Sequence, residues 1–416
     1  MKKILLILVA YINLHALNID EAIDRAMNNN PSLKEKELLF KASQESLNAS
    51  YSGYKPKIDL FYNYSKFSKK SYVGANSASS ASAVLSYNLF NGFLNLHKIK
   101  EKEENSHIAQ YTHSASKADL KLQVTLTYID YLRSKRQILI AQETITLLEQ
   151  QLSDAKNFYE QGLFAKNDYL QVDVELSSAK QALLSSQSSI NISFFKLRRL
   201  LGKQLKKDEI IEDVSRKQKE ILFKILQIKM LENRSELKVL KAQKRALGYS
   251  YKVSSSPYYP KIDAEAKYQV AGVDFIPNGG PTFAVDKQAA IGIQANWNLY
   301  QGGADEATRA SFLLQERASN ERLNDLYLEL DFQLEQSIQS YELSKSQIIV
   351  AKKALKQAKE NFRITKNQFD ANIANTILML EAQRFLAQAQ VDFYQANFAL
   401  YDAMAEIERV VEEEIF

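Results

Sequence analysis

The sequence predicts a mixed fold of very long helices and a few short strands, written twice along one chain. Three observations predict it. The phrase YNLFNGF, Tyr87 to Phe93, returns as WNLYQGG, Trp297 to Gly303, offset by 210 residues. Neither Gly nor Pro occurs between Gly92 and Gly162, nor from Ala304 to the C-terminus. Short segments between the remaining breakers alternate apolar and polar residues with period two, the mark of a strand.

Taken in chain order, MKKILLILVAYINLHA comes first. It has a basic start, an apolar run from Ile4 to Leu14, and Ala16 as a cleavage position. Residues 1–16 are therefore expected to be an export signal. No later stretch approaches the ~18–20 apolar residues of a membrane helix. There is no Cys, so disulfides, Cys-ligated metals and a lipid-anchored mature N-terminus are excluded.

The strands follow a pair of matched proline phrases. YKPKID (Tyr54 to Asp59) and YYPKID (Tyr258 to Asp263) are offset by 204 residues. The second copy therefore carries six more residues before its exit phrase than the first, 210 − 204. Those residues fall around VDFIPNGGP, a Pro/Gly-rich turn at the tip of a longer hairpin. Ile262, Ala264, Ala266, Tyr268 and Val270 alternate with Asp263, Glu265, Lys267 and Gln269. Ile291, Ile293, Ala295, Trp297 and Leu299 alternate with Gly292, Gln294, Asn296 and Asn298. The first copy is weaker but similar: Ile58, Leu60, Tyr62 and Tyr64, then Leu85, Tyr87 and Leu89.

The breaker-free stretches are helical. Tyr341, Ile348, Leu355, Phe362 and Phe369 recur every seven residues, with Ser344, Ala351, Ala358 and Thr365 between them. In the first half the corresponding series are Tyr131, Ile138, Ile145, Leu152 and Tyr159, and Ser134, Ala141, Leu148 and Ala155. Large residues alternating with mostly small ones on a 3.5-residue seam suit coiled-coil packing. A helix from Asn95 to Tyr159 would be about 100 Å long at ~1.5 Å per residue, too long for a compact globular domain. The chain reads as an internal duplication. The first repeat, 17–207, has a helix, a β-hairpin at about 54–91 and a helical hairpin at 93–202. The second, 208–416, has a helix, a β-hairpin at about 258–301 and a helical hairpin at 303–414.

Strands of about ten residues with Tyr87 and Trp297 near their ends fit tilted transmembrane strands with an aromatic girdle. A soluble sandwich would alternate too, with its polar face in solvent. Four strands cannot close a membrane barrel, and open edges are not tolerated in lipid. Copies must pool their strands: three chains give twelve and two give eight. The repeated phrase then marks each exit from the membrane into a long helix, at Tyr87 and Gly92 and again at Trp297 and Gly302, Gly supplying turn conformations.

In this order and duplicated, these features resemble the TolC-like outer membrane efflux proteins, the outer membrane factors of Gram-negative bacteria. The marks are the proline-led strand starts, the aromatic-Asn-Leu-aromatic-x-Gly exits, and the helix-turn YEQGLFAKNDYLQVDVELSSAKQ, Tyr159 to Gln181. The resemblance covers nearly the whole chain after the export signal. It implies a homotrimer with a 12-strand barrel in the outer membrane and a periplasmic α-barrel of long antiparallel helices. It implies a periplasmic adaptor and an inner-membrane pump of the RND or ABC type as partners. The cargo would be drugs, toxic solutes or proteins, in tripartite efflux or type I secretion.

On that resemblance the helix-turns are the periplasmic tips. Adaptor contacts are expected at Gly162, Leu163, Ala165 and Leu170, and at Asn372, Ile373, Asn375 and Leu380. The entrance maps to Asp168, Leu378 and Glu381. Where the family often places two acids one turn apart, this chain has Leu378 and Glu381, so one acidic ring per trimer remains. The family's basic lock residue aligns with Ala374 and its aromatic companion with Phe369, which lacks a hydroxyl. The alternative for the tips is ordinary hairpin turns without a partner, and Glu381 would equally serve as a solvated helix residue.

Other motifs carry less. His97, His107 and His113 do not share a helix face, and the five Met residues do not cluster, so no metal site or cofactor is expected. KLRRLLGKQLKK, Lys196 to Lys207, places cations at a helix C-terminus, where they offset its dipole. Without Lys2 and Lys3 the basic excess is 52 − 49 = 3, too small to argue for nucleic acid. No catalytic set appears, so no enzyme is expected. Two further classes stay open: a structural or adhesive envelope spacer, and a periplasmic adaptor, against which the strands argue.

Overall fold

A computed structural model describes residues 16–416 except 70–75, 164, 204, 207, 208, 279–286 and 372. The expected export signal, but for Ala16, lies outside the described residues, as do Asn372 and the end of VDFIPNGGP. Twelve principal elements follow in order: α1 (Ile19–Asn29), α2 (Pro31–Ser50), β1 (Lys57–Lys66), β2 (Ser77–Asn91), α3 (Leu94–Glu160) and α4 (Lys166–Leu200), then α5 (Phe223–Asn233), α6 (Ser235–Val253), β3 (Lys261–Gly272), β4 (Lys287–Asn296), α7 (Ala304–Asp370) and α8 (Thr376–Val411). α3 and α7 have 67 residues each, as the absence of breakers permits.

The chain gathers into two compact units, each drawing on both repeats. The first holds the described residues of Met1–Glu35, Ser114–Ser235 and Tyr327–Phe416. Its core joins Leu17, Ala26, Val124, Tyr128, Leu197 and Phe398. Leu17 bridges to Ile211 in parallel, and the Tyr128 hydroxyl lies 2.8 Å from the Leu17 carbonyl and 2.7 Å from that of Glu212. Along α7, Tyr341, Ser344 and Phe369 are buried and Ile348, Ala351, Leu355, Ala358 and Phe362 half-buried. On α3, Ser134, Leu148 and Ala155 are buried, while Tyr159 at the far end is exposed. Burial thus follows the seven-residue seam. The C-terminus is tied down by Glu408, whose Oε1 accepts from the amides of Ile415 at 3.2 Å and Phe416 at 3.1 Å.

The second unit is Lys36–His113 with Glu236–Leu326. Its sheet is antiparallel with order β1-β2-β3-β4. Each hairpin pairs within its own repeat, Ile58 against Leu85 and Ile262 against Ala295. The central β2–β3 ladder joins the repeats, with Ala81 opposite Val270 and Asn88 opposite Asp263. There Asn88 Nδ2 donates to Asp263 Oδ1 at 2.7 Å. A register shift between Asn88 and Phe90 leaves Leu89 extra, the signature of a β-bulge where a strand changes course. β1 and β4 are exposed along their whole lengths.

The two exit phrases adopt the same backbone at their last step. Gly92 and Phe93 have φ of 64° and 63°, Gly302 and Gly303 of 64° and 82°. Each pair of left-handed residues precedes the first residue of a 67-residue helix. A Cβ on Gly92 would also lie 2.4 Å from the Ser256 carbonyl oxygen, so glycine is required there twice over. One expectation fails. The last strand was expected to run through Trp297 to Leu299, yet β4 stops at Asn296. The matching stretch of β2 pairs with the start of β3, down to Asn91 opposite Lys261, whereas on the other side of β3 Lys261 already stands opposite Asn296, so the residues after it have no partner strand for their amides.

Candidate functional site at the helix-turn ends

The first turn ends α3 in a Schellman motif, in which a left-handed glycine lets two amides reach back to the last carbonyls. Gly162 has φ of 77°. Its amide donates to Tyr159 O at 2.9 Å and that of Leu163 to Phe158 O at 2.9 Å. α4 restarts at once, with Ala165 as N-cap. Alanine offers no side-chain acceptor, so Asp168 supplies the cap contact from inside the helix: its Oδ2 accepts from the Ala165 amide at 2.9 Å. Leu163 and Leu170 are exposed.

The second turn is built differently. The Ile373 amide reaches back to Gln368 O at 2.7 Å, and that of Ala374 to the same oxygen at 3.1 Å. Asn375 then caps α8, its Oδ1 accepting from the Leu378 amide at 3.0 Å. Ile373 is 77% exposed, and Ile377 and Leu378 are about half exposed. Leu380 is half-buried, packing against the cluster of Leu148, Ala155, Val172 and Leu176.

An open groove of about 530 Å³ lies between the starts of α4 and α8, lined by Leu170, Val174, Ile377 and Leu380 with Glu175, Glu381 and Arg384 among its polar residues. Glu381 forms no ion pair among the described residues, whereas the Asp168 carboxylate is engaged as a cap. Behind the second turn, Phe369, Ala374 and Met379 are buried together, with Phe158 and Phe362 packed on them. Phe369 and Ala374, where the resemblance implies a polar lock, are thus held by apolar contact. Phe362 and Phe369 stand on the heptad seam and were legible as core. Phe158, Glu175 and Arg384 carried no sequence signal that singled them out.

A family model described as outer membrane efflux protein matches residues 22–203 and 227–411. The two stretches fall on the two halves of the duplication. Among solved structures, the outer membrane protein VceC from Vibrio cholerae superposes with a TM-score of 0.81 at 15% identity, covering 95% of this chain and 96% of that chain. The CmeC outer membrane channel of Campylobacter jejuni gives 0.85 at 14%, covering 96% and 86%. The MtrE outer membrane channel of Neisseria gonorrhoeae gives 0.80 at 14%, covering 95% and 89%. At such identities the likeness is one of fold. Comparison with curated protein sequences gives no match. The duplicated family match and the shared fold of long helices with a four-stranded sheet lead to one conclusion: this chain belongs to the outer membrane efflux protein family, whose members are channels rather than enzymes.

Proposed function

We propose that three copies of this chain form a passive export duct, a 12-strand barrel in the outer membrane continuous with a periplasmic helical tunnel. The observation that carries this reading is the sheet with two bare outer strands. Ile58 and Leu60 on β1 are 74% and 81% exposed, and Ile291 and Ile293 on β4 are 89% and 72% exposed. Unpaired amides and bare isoleucines along both edges demand neighbours, and in lipid only closure supplies them. Twelve strands from three chains is the count that the resemblance favours, with eight from two as the alternative.

In this duct the helix-turns face a periplasmic adaptor, which links the tunnel to an inner-membrane pump of the RND or ABC type. Gly162, Leu163, Ala165 and Leu170 on the first turn, and Asn372, Ile373, Asn375 and Leu380 on the second, are the proposed contact positions. Leu378 and Glu381 stand at the entrance, with Asp168 on the neighbouring hairpin. Residues 1–16 are the export signal, and the repeats divide near residue 207.

Because the chain has no Cys, cysteine pairs scanned along β1 and β4 provide a clean test. Oxidation should link copies into a trimer, and the purified oligomer should conduct in a planar bilayer. A dimer, or a stable monomer that keeps its strand signal, would overturn the stoichiometry. A trimer that never conducts would favour an envelope spacer.

A further inference from the structure

The geometry points to a binding site for the phosphate headgroup of an anionic phospholipid in the groove between α6 and the start of α7. The inference rests on reading the sheet as membrane-spanning. The groove encloses about 550 Å³ and is lined by Lys241, Lys244, Arg245 and Lys252 of α6, with Gly248 among them. Steps of three, four and eleven residues return to one helix face, so the four cations form a stripe. At Gly248 the backbone is bare, and the site of a missing Cβ lies 4.0 Å from Glu316 Oε1. The concavity exists because no side chain fills it.

Glu316 is the carboxylate in the lining. Arg245 pairs with Glu104 at 2.8 Å, and Lys244 Nζ donates to Asn320 Oδ1 at 2.7 Å. Four cations against the carboxylates of Glu316 and Glu104 still leave a positive excess, which favours an anion. The field is felt nearby: the His97 imidazole is held below its ordinary pKa by burial and then by the charge of Lys252.

The architecture of the duct does not require this stripe. At the repeat offset of 204, the matching α2 positions are Glu37, Phe40, Lys41 and Asn48. A feature needed for folding would be expected in both copies. Nor does a second copy account for it. α6 is engaged on one side by α3, through Glu104 and the Ser250–Glu101 contact of 3.1 Å, and on the other by α7.

A lipid is favoured over a soluble anion by what stands at the upper end. Lys252 is in the last turn of α6, just ahead of β3, with its Nζ 5.1 Å from the Tyr249 ring centroid. Beside it the Arg309 guanidinium lies 5.0 Å from the Tyr251 ring and 5.3 Å from that of Tyr258. Tyrosines interleaved with Lys and Arg are the composition of a membrane–water interface, where long basic side chains reach headgroups.

The test uses detergent-purified protein that already conducts in bilayers, so its outcome is separate from that of the channel reading. Native mass spectrometry measures retained phosphatidylglycerol and phosphatidylcholine, with and without millimolar inorganic phosphate. The wild type should prefer phosphatidylglycerol, and phosphate should not displace it. Lys241→Gln/Lys244→Gln/Lys252→Gln should reduce that preference about tenfold or more. Gly248→Leu should reduce it by filling the groove without changing charge. Lys352→Gln/Lys353→Gln/Lys356→Gln on α7 removes equal charge elsewhere and should leave it intact. Equal retention by the wild type and both groove variants overturns the site. Displacement by phosphate overturns the lipid assignment in favour of a free-anion site.

Discussion

Phe158 at the end of α3 and Phe369 at the end of α7 meet edge to face, with ring centroids 6.4 Å apart and planes at 73°. One comes from each repeat, so the contact ties the two helical hairpins of a protomer together just behind their turns. Phe369 is 5% exposed and shares its cluster with Ala374 and Met379. An apolar latch differs physically from a polar one, because added salt screens charges but not packing.

Cutting that latch should loosen the tips. Phe369→Ala removes a buried ring, at a cost of about 2–4 kcal/mol for a site near the end of a helix. Spontaneous conductance should rise in planar bilayers while the oligomer survives. Raising salt from 0.1 to 1 M should not by itself open the wild type. Salt-induced opening would mean that a charged contact, not this cluster, holds the entrance.

Glu381 supplies the entrance prediction. Three such carboxylates around a low-dielectric opening would attract cations and repel anions. Glu381→Gln should lower cation preference, read as reversal potential in a salt gradient, and weaken block by trivalent cations. Glu360→Gln is the control, on an exposed carboxylate already paired with Arg363 at 2.7 Å. If both variants leave selectivity and block unchanged, Glu381 is only a solvated helix residue.

The faces of β4 can be told apart by substitution. Ile293 stands opposite Ala264, and Gln294 opposite Asp263. Ile293→Lys should reduce assembly strongly, because a charge against lipid costs roughly 2–4 kcal/mol near the midplane. Gln294→Lys faces the wet side and should assemble normally. Equal oligomer yields would reverse the assignment.

Acid should act through Asp402 on α8. Burial pushes its carboxyl up to about 6, against the opposing pull of Arg133 on α3, with Asp130 and Glu406 pushing the same way as burial. The folded state thus holds this proton more tightly than the unfolded chain, whose ordinary value is 3.8. Its contribution to stability is fully present below that value and is lost as pH rises through about 6. Asp402→Asn should flatten this component. The difference in Tm between wild type and variant should therefore change between pH 4 and 6 and level off above. A constant difference across that window would refute the assignment.

Much was legible before any coordinates. Seven-residue spacing located the helix seams, because a 3.5-residue period admits only one face to the partner. The runs without Gly or Pro set the lengths of α3 and α7. Gly92 and Gly302 were marked as turns because few other residues tolerate positive φ. What the tertiary structure decided depends on neighbours distant in sequence. The same exit phrase is strand in one copy and irregular in the other, because β3 lies opposite it in β2 but begins too late to lie opposite it beyond β4. Asp168 turned out to be a helix cap because an alanine precedes α4. The apolar latch needs Phe158 and Phe369, more than two hundred residues apart, to arrive at one place. The basic face of α6 became a groove only when α7 was laid beside it. Periodicity is a property of the local chain; edges, caps across a turn and clefts between helices exist only once distant segments meet.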